Sequence, residues 1–136
     1  MRIQFLTQPD VQIDRLFLNN LENFQLPRRV IFVSAFSNLQ TILRIKSPIL
    51  RIKEAGAFVK FVLGIDLDGT SLEVLRELIS WNIEALIVKH RRSGHTFHPK
   101  LYVFEWVSKA EIITGSSNIT EGGLFRTWIQ LLSATG

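Results

Sequence analysis

His98 and Lys100 stand two residues apart at the head of a run, KLYVFE, that reads as a strand of period 2. On an extended strand that spacing sends both side chains from one face. A second apolar run, residues 112–114, then delivers Gly115, Ser116, Ser117 and Asn118. These are small donors beside a glycine that lets backbone approach a ligand closely. If the two runs pair as a hairpin, imidazole, ammonium, hydroxyl and carboxamide converge at one end. That grouping suits a phosphoryl centre: a nucleophile that needs no metal, one fixed cation, and neutral donors for the remaining oxygens. Taken singly, each residue has a plainer use. His98 can cap or pack, Lys100 can protect a sheet edge, and GSSN can simply turn the chain. Chemistry is suggested by the ordered set, with a strand pattern between its parts.

At these residues the chain resembles the phospholipase D-like superfamily, whose pattern is His-x-Lys, four residues, Asp, then Gly-Ser-x-Asn. His98, Lys100, Gly115, Ser116 and Asn118 match it directly, and Glu105 stands where the Asp belongs. The few extra residues between Glu105 and Gly115 fit a longer hairpin turn around Ser108 and Lys109. The wider texture, HPKLYVF followed by GSSNITEGGL, is most similar to the bacterial branch found in restriction endonucleases and at the ends of some helicases.

The resemblance implies a metal-independent phosphodiesterase that uses no cofactor and acts on DNA or another phosphodiester. His98 would attack phosphorus to give a phosphohistidine, and a second His would protonate the leaving oxygen. Lys100 and Asn118 would hold non-bridging oxygens, Ser116 would support the site, and Glu105 would orient neighbours without meeting substrate. The family's chemistry takes two such motifs about a pseudo-twofold axis, and this chain has one. The resemblance therefore implies a homodimer with two copies of His98 across the seam. Related nucleases also carry a Glu about eleven residues after the motif Asn, where this chain has Ile129 and Gln130. An alternative is accordingly a catalytically impaired module for nucleic-acid binding or dimerisation, part of a larger restriction or helicase protein. A phospholipid hydrolase is a third reading, and nothing here looks like a membrane-binding face.

A chain of 136 residues is expected to form one phospholipase D-like domain, residues 1–136, with the N-terminal fragment of a longer protein as the alternative. Hydrophobic residues make up 46% of it and mean hydropathy is +0.19, so some apolar surface is expected to be buried against a partner. It contains no Cys, which excludes disulfides and zinc–thiolate sites. The opening residues lack the apolar stretch of a signal peptide, and the run over residues 57–65 is interrupted by Lys60 and too short for a bilayer. No membrane association and a cytoplasmic location are the expectation. Net charge is +4, and Lys89, Arg91, Arg92 and Lys100 fall within twelve residues of one another around the motif. Lys89, Arg91, Arg92 and Ser117 are the expected nucleic-acid contacts.

The elements that must position these groups follow from periodicity. Strands are expected over residues 3–6, 30–36, 58–65 and 85–88, with the motif hairpin after them. Asp10 can cap a helix over residues 11–23. Ser37 can cap another that either kinks at Pro48 or restarts there, to be stopped by Gly56. Thr70 and Glu73 can form a capping box for a helix over residues 72–81. The expected fold is α/β: a mixed, largely parallel sheet flanked by helices on both faces, with the His-x-Lys hairpin at the active site. One rival motif, GIDLDGT over residues 64–70, resembles that of Mg-dependent haloacid dehalogenase-like phosphatases, with Asp66 as nucleophile and Asp68 as general acid. That chemistry wants further carboxylates for magnesium on a later strand, and no Asp follows Asp68.

Overall fold

Runs of β-branched and aromatic residues, separated by capped helices and tight turns, produce one mixed sheet. The structure is a computed structural model that describes residues 1–6, 13–120, 124 and 131–135. Its strands are β1 (Arg2–Leu6), β2 (Arg29–Ser34), β3 (Phe58–Gly64), β4 (Glu84–Val88), β5 (Lys100–Glu105), β6 (Ala110–Gly115) and β7 (Leu131–Thr135). In space they run β1-β7-β6-β5-β2-β3-β4.

The sheet is less parallel than the sequence suggests. Only β2–β3 and β3–β4 pair in parallel, joined by helices α2 (Leu39–Glu54) and α3 (Leu72–Ser80). The remaining neighbours, β2–β5, β5–β6, β6–β7 and β1–β7, are antiparallel. The reason lies in the connections. A parallel neighbour needs a crossover back to the opposite edge of the sheet. Residues 89–99 are polar and lack helical periodicity, so the chain leaves the top of β4 and re-enters β5 at that same edge.

All the described helices lie on one face, which corrects the expectation of helices on both. Phe17 and Leu21 of α1 (Ile13–Glu22), Ile42, Ile45, Ile49 and Ile52 of α2, and Val74 and Leu78 of α3 form one buried cluster with alternate strand residues. Phe17 is the hub, its ring 5.0 Å from Phe32 and 5.4 Å from Tyr102. Fully burying a side chain of this size is worth roughly 1.5–3 kcal/mol, so these residues dominate the stability of the fold. The opposite strand positions, among them Ile31, Val33, Val62, Leu101 and Val103, are half-buried, and no described helix covers them.

Local signals explain the helix ends, with two shifts. Asn38 caps α2, its Oδ1 accepting from Thr41 N at 2.9 Å, and Ser71 caps α3 by accepting from Val74 N at 3.4 Å. Ser37 and Thr70, the expected caps, hydrogen-bond to each other instead at 2.8 Å, because the loops leaving β2 and β3 meet there. Helix α2 runs unbroken through Pro48, whose ring is buried with Ile45 and Ile49. Gly56 follows it at φ +91°, and the bonds from Gly56 N to Lys53 O and from Ala57 N to Ile52 O satisfy its last carbonyls. The Asp10 cap lies outside the described residues.

Candidate active site

The loops after β2, β3 and β4 all emerge at one edge, and β5 begins there. In open α/β sheets this carboxyl-end edge, where strand order reverses, is where ligands bind. Lys100 is the first residue of β5 and lies opposite Ser34, the last of β2. Both are buried, Lys100 to 5% exposure, because they lie on the core-facing side of the sheet. No carboxylate among the described residues pairs with the Lys100 ammonium. It donates to the His98 carbonyl at 2.9 Å and lies 2.7 Å from Nδ1 of the His98 ring. Burial holds the Lys100 pKa below the usual lysine range.

His98 itself is exposed, just ahead of the strand, with its ring edge-on to Phe36 at 6.4 Å between centroids. Asn118 reaches the same place from the other side. Its Oδ1 accepts from Phe36 N at 3.2 Å and lies 3.4 Å from Ser34 Oγ. Those contacts identify the oxygen of the carboxamide, so its NH2 keeps its donor capacity. Ser34 Oγ also accepts from Ile119 N at 3.0 Å, tying the segment after β6 to the end of β2. Ser34 and Phe36 thus organise the site, although the sequence reading passed over them. The one signal was a lone hydroxyl inside the apolar run VIFVSAF.

Not every expected residue is brought here. Ser116 is exposed beside Asn118, but Ser117 is fully buried and cannot meet nucleic acid. Its carbonyl accepts from the Tyr102 hydroxyl, so the inward turn of the backbone at this point points the side chain into the core. Burial drives the Tyr102 phenol far above its ordinary range, so the hydroxyl stays a donor. Glu105 lies at the other end of β5, about 17 Å along the strand at 3.3 Å per residue, and pairs with Arg28 and Arg29. The turn beyond it closes through Trp106 N to Lys109 O at 2.8 Å, with the Lys109 ammonium 4.5 Å above the Trp106 ring.

Lys89, Arg91 and Arg92 are exposed on the segment leading to His98. Arg91 and Arg92 line an open cavity of about 530 Å³ with His90, His95 and Asp66. The two imidazoles stack there, 5.1 Å apart. Asp66 and Asp68 sit on the turn after β3, and both Asp66 oxygens accept backbone N–H groups. Among the described residues no three His, Asp or Glu side chains gather as a metal site, and no helix is long and apolar enough to cross a membrane. Residues 129 and 130 lie outside the described residues.

No family model and no curated protein matches this chain by sequence. Solved structures match it by fold. NucT from Helicobacter pylori superposes with a TM-score of 0.70 at 15% identity, over 97% of this chain and 84% of that one. Polyphosphate kinase from Porphyromonas gingivalis gives 0.67 at 12% identity, over 98% of this chain and 23% of the kinase. The yeast tyrosyl-DNA phosphodiesterase H432N mutant gives 0.56 at 14%, over 97% of this chain and 31% of that one. All three carry the phospholipase D-like fold, and this chain shares it.

Proposed function

We propose that this protein is a metal-independent phosphodiesterase that cleaves DNA through a phosphohistidine at His98. The observation that carries the reading is the Lys100 ammonium, buried with no carboxylate partner among the described residues and held against the His98 imidazole at the mouth of the sheet. A buried cation of this kind is costly unless an anion completes it. Asn118, whose oxygen is held by Phe36 N beside His98, supplies the further neutral NH2 donor that phosphate recognition requires. Two of the fold's relatives bear names consistent with this chemistry: a tyrosyl-DNA phosphodiesterase and NucT.

The ammonium lies against the imidazole. A phosphodiester would draw it onto a non-bridging oxygen, leaving a ring nitrogen of His98 free to attack. The P–N bond forms as the P–O bond to the leaving group breaks, and His98 of a second copy protonates the departing oxygen. Water then attacks phosphorus, that second imidazole takes its proton, and the P–N bond breaks. The reading therefore includes a homodimer that pairs two motifs. The exposed bases Lys89, Arg91 and Arg92 lie on the approach and suit the backbone of the same substrate.

The test is incubation of the purified protein with DNA in EDTA. Cleavage should persist there, His98→Ala should abolish it, and that variant should still bind DNA through Lys100 and Asn118. Cutting that requires added Mg²⁺, or a His98→Ala protein as active as its parent, would overturn the mechanism. DNA binding without any turnover would favour the impaired-module reading, which the Ile129–Gln130 pair in place of a Glu supports.

A further inference from the structure

The segment between β4 and His98 is a long connection at the site edge, and almost all of it is exposed. Internally it holds itself weakly, through Arg92 N to the His90 ring at 3.1 Å and His95 N to Arg92 O at 3.3 Å. A single carboxylate grips both of its ends. Asp66 accepts from His90 N at 3.2 and 3.1 Å, at the start of the segment. It also accepts from Phe97 N at 2.9 Å, one residue before His98. The Phe97 ring backs this up from the other side. It lies so close over Gly64 that a Cβ there would come within 3.0 Å of it.

We propose that Asp66 is a positioning residue for His98: its carboxylate clamps the two ends of the 90–97 segment and so fixes where the imidazole meets phosphorus. The proposal rests on the phosphodiesterase reading of His98. Only one peptide separates the clamped N–H from the His98 backbone, so a shift at Phe97 is transmitted directly to the nucleophile. Of the other restraints on His98, the edge of Phe36 acts on the ring, and the Lys100 ammonium touches both the ring and the main-chain carbonyl on the far side of the residue from the clamp. Asp66 belongs to neither the core cluster nor any ion pair among the described residues, so its charge has no competing duty. The N–H of Phe97 is the first cause holding its pKa below the ordinary carboxylate range, with His90 and Lys89 adding to it, so the clamp is ionised at neutral pH. This also gives the GIDLDGT stretch a role that needs no magnesium: with its oxygens turned to backbone donors, Asp66 is not presented as a nucleophile.

The experiment compares Asp66→Ala and Asp66→Asn with Asp68→Asn, which alters the exposed neighbour in the same turn. Amide exchange and the ring resonances of His98 are read first, by NMR on protein without substrate. In Asp66→Ala the His90 and Phe97 amides should exchange at least ~10-fold faster and the His98 ring signals should broaden or split. Asp66→Asn, keeping one oxygen acceptor, should fall between, and Asp68→Asn should match the parent. With DNA, kcat should fall about 100-fold in Asp66→Ala while KM stays within about twofold, as expected when a reacting group is misplaced by about an ångström. Unchanged Phe97 exchange and His98 resonances in Asp66→Ala would overturn the proposal, as would kcat and KM moving together with a fall in melting temperature. A parent protein that cuts nothing would sink the phosphodiesterase reading, yet the NMR comparison would still decide whether Asp66 holds His98.

Discussion

On the proposed reading, Lys100 pits function against stability. Its pKa is depressed by desolvation from an ordinary value of 10.5, so the unfolded chain binds that proton more tightly than the folded one. Wild-type stability should therefore rise with pH through the window just below 10.5 and fall back as pH drops through the lowered pKa. Lys100→Met keeps the length of the side chain and removes the charge. It should stabilise the fold at neutral pH by about 1 kcal/mol, with the gain shrinking as pH nears 10, because a desolvated charge is replaced by an apolar group of similar length. The same substitution should lower cleavage by roughly 2–4 kcal/mol of transition-state stabilisation, by analogy with removing one donor from an oxyanion site. Thermal melts across pH and single-turnover rates on one preparation would check both. A variant that is less stable than its parent would mean that Lys100 has a counter-charge beyond the described residues.

At the scale of elements, the helices owe their placement to their ends as much as to their apolar stripes. Helix α2 spans the sheet and finishes at Gly56, whose positive φ lets Ala57 turn back toward β3. Nothing lies within 4 Å of where a Cβ at Gly56 would sit, so the only obstacle to a side chain there is the left-handed backbone itself. Gly56→Ala should cost about 1 kcal/mol, measured by denaturant melts, without touching cleavage. Gly64 differs: a Cβ there would come within 2.8 Å of the Ala35 carbonyl, where β2 and β3 leave the sheet side by side. Its constraint is the close approach of two backbones.

For the whole molecule, basic charge and one unmatched motif make two demands. Binding of Lys89, Arg91 and Arg92 to phosphates releases counterions, so affinity for DNA should fall linearly as log salt rises. Charge reversal at Arg91 and Arg92 together should flatten that slope by roughly two contacts; an unchanged slope would mean that the segment faces away from bound DNA. The second demand is a partner for His98. Light scattering at tens of micromolar, on the order of a weak complex's dissociation constant, should show a dimer. A monomer at that concentration would leave the leaving oxygen without its second imidazole.

Much of this was legible in the chain because it is written in local chemistry. The run from Lys100 to Glu105 is rich in aromatic and β-branched residues and forms a strand, and the motif led to the expectation that His98, Lys100 and Asn118 meet at one end, where the structure places them around Phe36. Strand positions for β2, β3 and β4 followed within a residue or two from apolar runs bounded by turn formers, for the same reason. What the sequence could not show depends on partners distant in the chain. Ser37 and Thr70 looked like caps and became each other's partner, since two loops separated by thirty-three residues meet. Ser117 looked like a ligand donor and became core, because the Tyr102 hydroxyl takes its carbonyl and turns the residue inward. Ser34 and Asp66 acquired their roles only when folding brought Asn118 and Phe97 to them, across eighty-four and thirty-one residues. Hydrogen bonds at such separations carry no periodicity to read, so tertiary structure alone decided them.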